Sequence, residues 1–161
     1  MKPHLAKHLE YGVVPPAEAK ALSGYELVKR ILEGRYPAPP IAKVFGFVLS
    51  QVEPGRVVFT GQPAFDYYNP LGSVHGGFAA TMLDSCMGCS VHSMLPAGTG
   101  YTTLEIKISF LRAIKEDTGL LSAEGKAISV GKRVGTAEGR IVDAGGKLYA
   151  HGTTTCLIFP L

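Results

Sequence analysis

The chain has few charged residues and no concentration of charge of one sign. Only 18% of its 161 residues are charged, the formal net charge is +3, and 46% are hydrophobic. Nucleic-acid binding requires clustered lysine and arginine with interleaved aromatic residues, so the sequence predicts no nucleic-acid partner. Disorder is excluded because this much apolar sequence predicts extensive burial, including burial at subunit interfaces. The mild positive charge still suits a ligand that carries phosphates.

The sequence also has few cysteines, and it begins without the apolar segment of a signal peptide. The three cysteines are an odd number, typical of a reducing compartment, and residues 1–8 contain no continuous apolar segment, so we expect a cytoplasmic protein. Cys86 and Cys89 form a C-x-x-C pair inside a predicted helix, which favours packed thiols over a metal or redox site. His4 and His8 lack a third ligand, so we expect no metal there.

The chain is organised around residues 69–77 and the apolar segment 78–95 that follows them. Asn-Pro and Gly72 predict a turn, Ser73 is a plausible helix cap, and Pro96 marks the end. We therefore predict one helix of about 20 residues, roughly 30 Å long. Apolar residues lie on all sides of it, which predicts a helix that is buried all round.

A single carboxylate, Asp84, lies in this apolar segment. Its neighbours one helical turn away are Ala80, Thr81, Met87 and Gly88, three of them small, which leaves room for a ligand beside the carboxylate. A second interpretation is a buried aspartate paired with an arginine or lysine of a neighbouring strand. The carboxylate, with histidines at both ends of the segment, also argues against a membrane span.

Two consecutive glycines, Gly76 and Gly77, follow His75 at the predicted start of the helix. They leave backbone N–H groups uncovered at the positive end of the helix dipole, where an anion or a developing oxyanion binds well. Alternatively, the glycines only permit close packing of the helix on a sheet.

The rest of the sequence predicts a helical extension followed by strands. Residues 1–16 lack a regular pattern, residues 17–22 form a short helix, and a capping box of Ser23 and Glu26 begins an amphipathic helix that Gly34 ends. A stiff proline-rich connector then leads into segments whose hydrophobicity and turn residues predict strands. The connector is 36–40, and the strands are 47–53, 56–62, 102–110, 120–128, 133–142 and 147–159.

The order of two strands, one long helix and four strands is an α+β layout in which an antiparallel sheet wraps the helix. We assign residues 1–40 to the extension and connector and residues 41–161 to the main domain. One sheet covers only part of a helix that is apolar all round, so the uncovered side is expected to meet another subunit.

The central motif resembles that of a known enzyme family. The run Asn69-x5-His75-Gly76-Gly77-x6-Asp84, with the strand that follows it, is similar to the acyl-CoA thioesterases of the hotdog fold, specifically the phenylacetate-pathway (PaaI-type) group, over about residues 40–159. The resemblance implies a six-stranded antiparallel sheet around one long helix, an acyl-CoA substrate, and no cofactor or metal. It also implies a homo-oligomer, a dimer or a dimer of dimers, with active sites at the dimer interface.

By the same resemblance, the Gly76 N–H polarises the thioester carbonyl, with Gly77 beside it, and Asp84 acts as general base or nucleophile across the interface. Asn69 matches an amide that contacts the carbonyl or the water. His75 then orients the site, although a helix-start histidine bonded to backbone is an equally good interpretation.

A hydroxyl that holds the attacking water comes from the long strand in some members of this family. Thr103 is the best match, with Thr102 next, although either is also an ordinary strand threonine. Other members supply the hydroxyl one helical turn after the acid, where this chain has Gly88 and departs from that subgroup.

Coenzyme A carries several phosphates, so basic side chains at strand ends are candidates to bind it. These candidates are Arg112, Lys132 and Arg133, each of which is also typical of a solvated surface charge. We expect the acyl group to be aromatic or of medium chain length. Five aromatic residues either line a pocket for such a group or belong to the core: Phe45, Phe47, Phe65, Tyr67 and Tyr68. Two other classes stay open, a hotdog dehydratase or hydratase acting on acyl-CoA or acyl-carrier protein, and a non-catalytic acyl-CoA-binding module.

Overall fold

The computed structural model describes residues 9–161, which form four α-helices and six strands. The helices are α1 (Pro16–Ala21), α2 (Gly24–Leu32), α3 (Pro40–Phe45) and α4 (Gly76–His92). The strands are β1 (Phe47–Glu53), β2 (Arg56–Gly61), β3 (Thr99–Phe110), β4 (Leu121–Val130), β5 (Val134–Asp143) and β6 (Leu148–Pro160). The predictions for residues 1–8, including the one for His4 and His8, lie outside the described residues.

The six strands form one antiparallel sheet in the order β1-β2-β4-β5-β6-β3. Helix α4 packs across one face of this sheet, against every strand. The predicted α+β fold, a six-stranded antiparallel sheet wrapped around one long helix, is therefore confirmed, and it is the architecture of the hotdog fold. No helix within residues 9–161 is both long enough and apolar enough to cross a membrane.

Glycines in the central strands let α4 lie very close to the sheet. A Cβ atom on Gly125 would lie 2.2 Å from the backbone oxygen of Cys86, and one on Gly139 would lie 2.8 Å from the Met87 side chain. The side chain of Met82 is fully buried in the same layer. The core is thus the layer between the sheet and the inner face of α4.

The N-terminal extension packs at the C-terminal end of α4. The predicted capping box is confirmed, since the Ser23 hydroxyl accepts the Glu26 N–H and the Glu26 carboxylate accepts the Ser23 N–H. The Gly24 N–H donates to the carbonyl of Leu95 at 3.0 Å, which fastens α2 to the end of the central helix. Helix α3 was not predicted; it begins at Pro40, whose fixed φ suits a first helical residue.

Two predictions about α4 are wrong. The helix has 17 residues rather than about 20, because the hydrogen bonds after His92 change to the i→i−3 type, such as the one from the N–H of Leu95 to the carbonyl of His92. Its cap is the His75 side chain rather than Ser73, whose hydroxyl accepts a hydrogen bond from Asn69 instead. In a single chain the sheet covers only part of the helix, as predicted, because Asp84 is exposed; burial of the uncovered side against another subunit stays a prediction. One face of α4 is therefore left uncovered by the sheet.

Candidate active site

Asp84 of α4 and Thr103 of β3 are in direct contact. The Thr103 hydroxyl donates a hydrogen bond of 2.8 Å to Oδ1 of Asp84. Within residues 9–161 the carboxylate forms no salt bridge, so pairing with an arginine or lysine of a neighbouring strand is wrong. An exposed carboxylate whose orientation is fixed by one hydroxyl can take a proton from a water molecule or attack an electrophile.

A β-bulge at Leu104 aims Thr103 at the helix. In the pairing of β3 with β6, Thr103 lies opposite Cys156 and Glu105 lies opposite Thr155, so Leu104 is an extra residue. The bulge shifts the alternation of side chains, and residues on the helix side change from odd to even numbers across it. Thr103 therefore faces α4, although an unbroken alternation places it on the opposite face from the apolar residues.

The helix N-terminus presents one available N–H group. The Gly77 N–H donates to Nδ1 of His75 at 2.9 Å, so that group is already used for capping. The His75 N–H in turn donates to the carbonyl of Tyr67 at 2.7 Å, and the His75 carbonyl accepts from Phe78. Among the described residues, the Gly76 N–H has no acceptor. Of the two glycines, only Gly76 thus offers a backbone donor to a ligand.

Asn69 organises the loop before the helix. Its Oδ1 accepts the N–H of Leu71 at 2.9 Å and that of Ser73 at 3.4 Å, and its Nδ2 donates to the Ser73 hydroxyl at 3.0 Å. The side chain thereby holds the turn that leads to His75. One N–H of the Asn69 amide remains for a substrate or a water molecule.

Phe110, at the end of β3, lies against Gly76. Its ring carbon Cζ would be 3.1 Å from a Cβ atom on that glycine, although the side chain is 57% exposed. The two residues form one end of a groove of about 450 Å³ between the start of α4 and the chain after β3. The alternation of β3 places Phe110 on its apolar face, but nothing in the sequence pattern indicates that the ring lies beside Gly76, so sequence reasoning missed it as a site residue.

The predicted basic residues do not lie together. Arg112 lines the groove beside Gly76, and its guanidinium donates to the carbonyl of Leu148. Lys132 and Arg133 are exposed on the turn between β4 and β5, far from that groove. A Cβ on Gly135, next to this turn, would touch Val91 near the end of α4, roughly 22 Å along the helix from Gly76.

Tyr101 fills the space that Gly88 leaves one turn after Asp84. A Cβ on Gly88 would lie 2.8 Å from the Tyr101 hydroxyl oxygen, and the ring of His92 lies 5.2 Å from that of Tyr101. Burial raises the pKa of Tyr101 well above its ordinary value. Burial also lowers the pKa of His92 below its ordinary value.

Burial also raises the pKa of the Cys89 thiol to about 11, and the pKa of the fully buried Cys86 thiol is raised further by the same cause. Both are free cysteines, in agreement with the prediction of packed thiols. Neither thiol is a nucleophile at neutral pH, because only the thiolate reacts.

Asp84 and Gly76 are too far apart to act on one carbonyl group within a single chain. They are eight residues apart on the same helix, so their backbones are separated by about 12 Å along its axis. A carbonyl hydrogen-bonded to one therefore lies beyond the reach of the other. The two groups can meet only if a second copy of the chain supplies one of them.

Comparisons with known proteins agree with the fold. A family model described as the thioesterase superfamily matches residues 71–150. Among solved structures, a phenylacetic acid degradation-related protein of Ralstonia eutropha JMP134, provisionally named as a thioesterase, superposes with a TM-score of 0.73 at 31% identity and covers 81% of this chain and 98% of that one. A Streptococcus mutans UA159 protein bound to acetyl-CoA has a TM-score of 0.65 at 23% identity, covers 71% of this chain and 90% of that one, and shows the fold alone.

A protein of Halobacterium salinarum, provisionally named as an esterase, is also similar. It is 38% identical over 73 residues, which are 44% of this chain and 46% of that protein, so the match spans less than half the length of that relative. The likeness to the R. eutropha protein, in contrast, extends over nearly all of that protein. The chain therefore belongs to the thioesterase superfamily, a family of thioester hydrolases with the hotdog fold.

Proposed function

We propose that the chain is an acyl-CoA thioesterase of the PaaI type, which hydrolyses an aromatic or medium-chain acyl-CoA to the free acid and CoA. The observation that carries the proposal is the exposed Asp84 carboxylate held by Thr103, on the same helix as the unoccupied N–H of Gly76. These are the two groups that thioester hydrolysis requires, an acceptor for the proton of water and a donor for the oxyanion.

Two copies of α4 that run antiparallel bring these groups together. If a two-fold axis passes beside Ala80, midway between Gly76 and Asp84, then Gly76 of each copy lies opposite Asp84 of the other. The uncovered side of the helix carries Ala80 and Thr81, small residues that permit close approach. Strand β3 lies at an edge of the sheet, so it can pair with β3 of the second copy.

In this arrangement the Asp84 carboxylate takes a proton from water as the water oxygen bonds to the thioester carbon. The carbonyl oxygen becomes an oxyanion that accepts the Gly76 N–H of the second copy. Collapse of the tetrahedral intermediate breaks the carbon–sulfur bond, and the proton on Asp84 passes to the departing thiolate. Direct attack by the carboxylate, followed by hydrolysis of the anhydride, uses the same positions.

The other predicted residues support these two groups. Asn69 fixes the loop and has one amide N–H left for the carbonyl or the water, and His75 caps the helix so that Gly76 is held in place. Gly77 has a supporting role because its N–H holds the His75 side chain, whereas Thr102 is exposed on the face of β3 away from Asp84 and takes no part in the reaction.

Of the three basic candidates for the CoA phosphates, Arg112 lies nearest to Gly76, but its guanidinium is engaged by the carbonyl of Leu148. Lys132 and Arg133 reach this region only from the second copy.

The proposed substrate class is supported by the family and by the names of two similar proteins. The R. eutropha protein is named for phenylacetic acid degradation, and the S. mutans protein was crystallised with acetyl-CoA. The first name supports an arylacetyl thioester and the second a CoA thioester as the substrate of this chain.

The direct test is release of free thiol from a panel of acyl-CoAs, with phenylacetyl-CoA and octanoyl-CoA beside acetyl-CoA. We expect turnover that is fastest with one of the first two. Hydration of an enoyl-CoA without thiol release would overturn the proposal.

A mixing experiment tests the shared site. Asp84→Asn and Gly76→Ala variants are each expected to be inactive alone, but a mixed dimer keeps one site in which both groups are intact. Equal amounts, dissociated and reassembled together, should recover about a quarter of wild-type activity, because half the dimers are mixed and each has one intact site. No recovery, with mixed dimers verified by mass spectrometry, contradicts a site shared between copies.

A further inference from the structure

The groove beside Gly76 has an apolar floor. Val74, Ala79 and Ile114 form that floor, and each is buried. The N–H of Val74 donates to the carbonyl of Ile114 at 2.9 Å, so the two sides of the groove are tied together by the backbone. A groove of about 450 Å³ is in the range of small-ligand sites. It can therefore take part of a substrate whose carbonyl lies at Gly76.

We propose that this groove binds the acyl group of the thioester. We also propose that Phe110 determines specificity, because its ring limits the width of the groove at the α-carbon, the carbon atom next to the carbonyl. The inference rests on the thioesterase function proposed above. It adds to that function a binding site for one half of the substrate and a residue that selects among acyl groups.

The chemistry of the groove favours the acyl group over CoA. Burying phosphates or amide groups of CoA on an apolar floor without hydrogen-bond partners is costly, whereas an acyl group loses nothing there. The cation that lines the groove, Arg112, is tied to the carbonyl of Leu148 on β6. The acyl group and the sulfur leave the carbonyl carbon in different directions, so a groove that holds the acyl group leaves CoA outside it.

The position of Phe110 explains why the groove selects acyl groups by their width at the α-carbon. Three ring atoms of Phe110 lie between 3.1 and 3.5 Å from the place of a Cβ on Gly76, the residue whose N–H binds the carbonyl oxygen. A substituent one bond from the carbonyl carbon meets the ring first. The wild type should therefore prefer an unbranched α-carbon.

The test compares two thioesters that differ only at this carbon: the straight-chain or arylacetyl-CoA that the wild type hydrolyses fastest, and its α-methyl derivative. In Phe110→Ala the ratio of kcat/KM for the branched over the unbranched substrate should rise on the order of tenfold, the usual effect of one methyl group in a fitted pocket. Phe110→Leu keeps an apolar side chain in case the alanine variant folds poorly, and should show a smaller rise. Ile128→Ala, at an exposed residue of β4, is the matched control and should leave the ratio unchanged.

The same two acids are also tested as N-acetylcysteamine thioesters, which lack most of CoA. If the groove binds the acyl group, the change in ratio persists with these short thioesters. If it binds the pantetheine arm instead, Phe110→Ala changes kcat/KM equally for the branched and the unbranched thioester and leaves their ratio unchanged, which overturns the inference. A wild type that hydrolyses no acyl-CoA overturns the proposed function together with this inference, whereas an active Phe110→Ala and Phe110→Leu with unchanged ratios overturn only the inference.

Discussion

The two faces of α4 differ in what they carry. The inner face has large apolar side chains such as Met82 and Leu83, fully buried against strands that present glycine. The outer face carries Ala80, Thr81 and Asp84, which are small or polar and are not covered in a single chain. One helix thus holds the fold together on one side and presents reactive groups on the other. Substitutions on the two faces should separate into losses of stability and losses of rate.

The largest effect should come from Asp84→Asn on the outer face. Asparagine has the shape of aspartate but cannot accept a proton from water, so kcat should fall on the order of 100-fold or more. Because Asp84 is exposed, the melting temperature should stay close to that of the wild type. Steady-state kinetics and thermal unfolding of the same preparation measure both quantities.

Ser85→Ala is the control for Asp84→Asn, since Ser85 is the next residue and its hydroxyl only donates to the carbonyl of Thr81 within the helix. It should lose little activity. Near-normal turnover by Asp84→Asn would remove Asp84 from the mechanism and with it the chemical role of the outer face.

The opposite result is expected for Gly125→Ala on the inner face. The added methyl group would lie 2.2 Å from the backbone oxygen of Cys86, so α4 or β4 must move apart. The free energy of unfolding should fall by about 3 kcal/mol, the upper part of the range for overpacked cores. Denaturant unfolding measures it.

Gly131→Ala is the matched control for Gly125→Ala, because its new methyl group would meet only one backbone oxygen at 3.4 Å. If Gly125→Ala instead reduced kcat of the folded protein and left stability unchanged, the division between the two faces would be wrong.

The residues that carry the predicted chemistry could be found from the sequence because they break a pattern. Asp84 stands out in an apolar helix, and consecutive glycines such as Gly76 and Gly77 stand out at a helix start. The capping box of α2, the β1–β2 hairpin and the α+β order could likewise be predicted, since each depends on residues close in sequence.

What could not be predicted depends on contacts between distant segments. The alternation in β3 reads as continuous through Leu104, so the bulge that turns Thr103 towards α4 is invisible until β3 is paired with β6. The apolar character of α4 was also misleading, because its many large apolar side chains hide a narrow strip of small and polar residues. In contrast, the glycines of β4 and β5, such as Gly125 and Gly139, were a usable signal of close helix packing.

Thr103→Val, beside the outer face of α4, should reduce kcat less than Asp84→Asn does. The substitution removes the hydroxyl that donates to Asp84 and keeps the side-chain shape. A hydrogen bond to a charged group contributes about 1.5–3 kcal/mol, and because Asp84 is exposed the lower end of this range applies, so kcat should fall by roughly tenfold. Thr102→Val, the neighbouring exposed threonine on the other side of β3, should have almost no effect on kcat. Equal losses in both variants would mean that the strand and not the hydroxyl is responsible.

The smallest effect concerns His92 and pH, at the C-terminal end of α4 where the two faces meet. Burial holds the pKa of His92 below its ordinary value, so the folded protein keeps the imidazole neutral while the unfolded chain takes up a proton near pH 6.5. The stability that this residue contributes is therefore present above about pH 6.5 and is lost as the pH falls below it. Tyr101, which packs against His92, has a raised pKa and stays neutral throughout this range.

Unfolding of the wild type and of His92→Gln is compared between pH 8 and pH 5 at one protein concentration, so that the other histidines cancel in the difference. The difference in free energy of unfolding between wild type and variant should shrink as the pH is lowered, and a difference that stays constant or grows would show that burial does not keep this imidazole neutral.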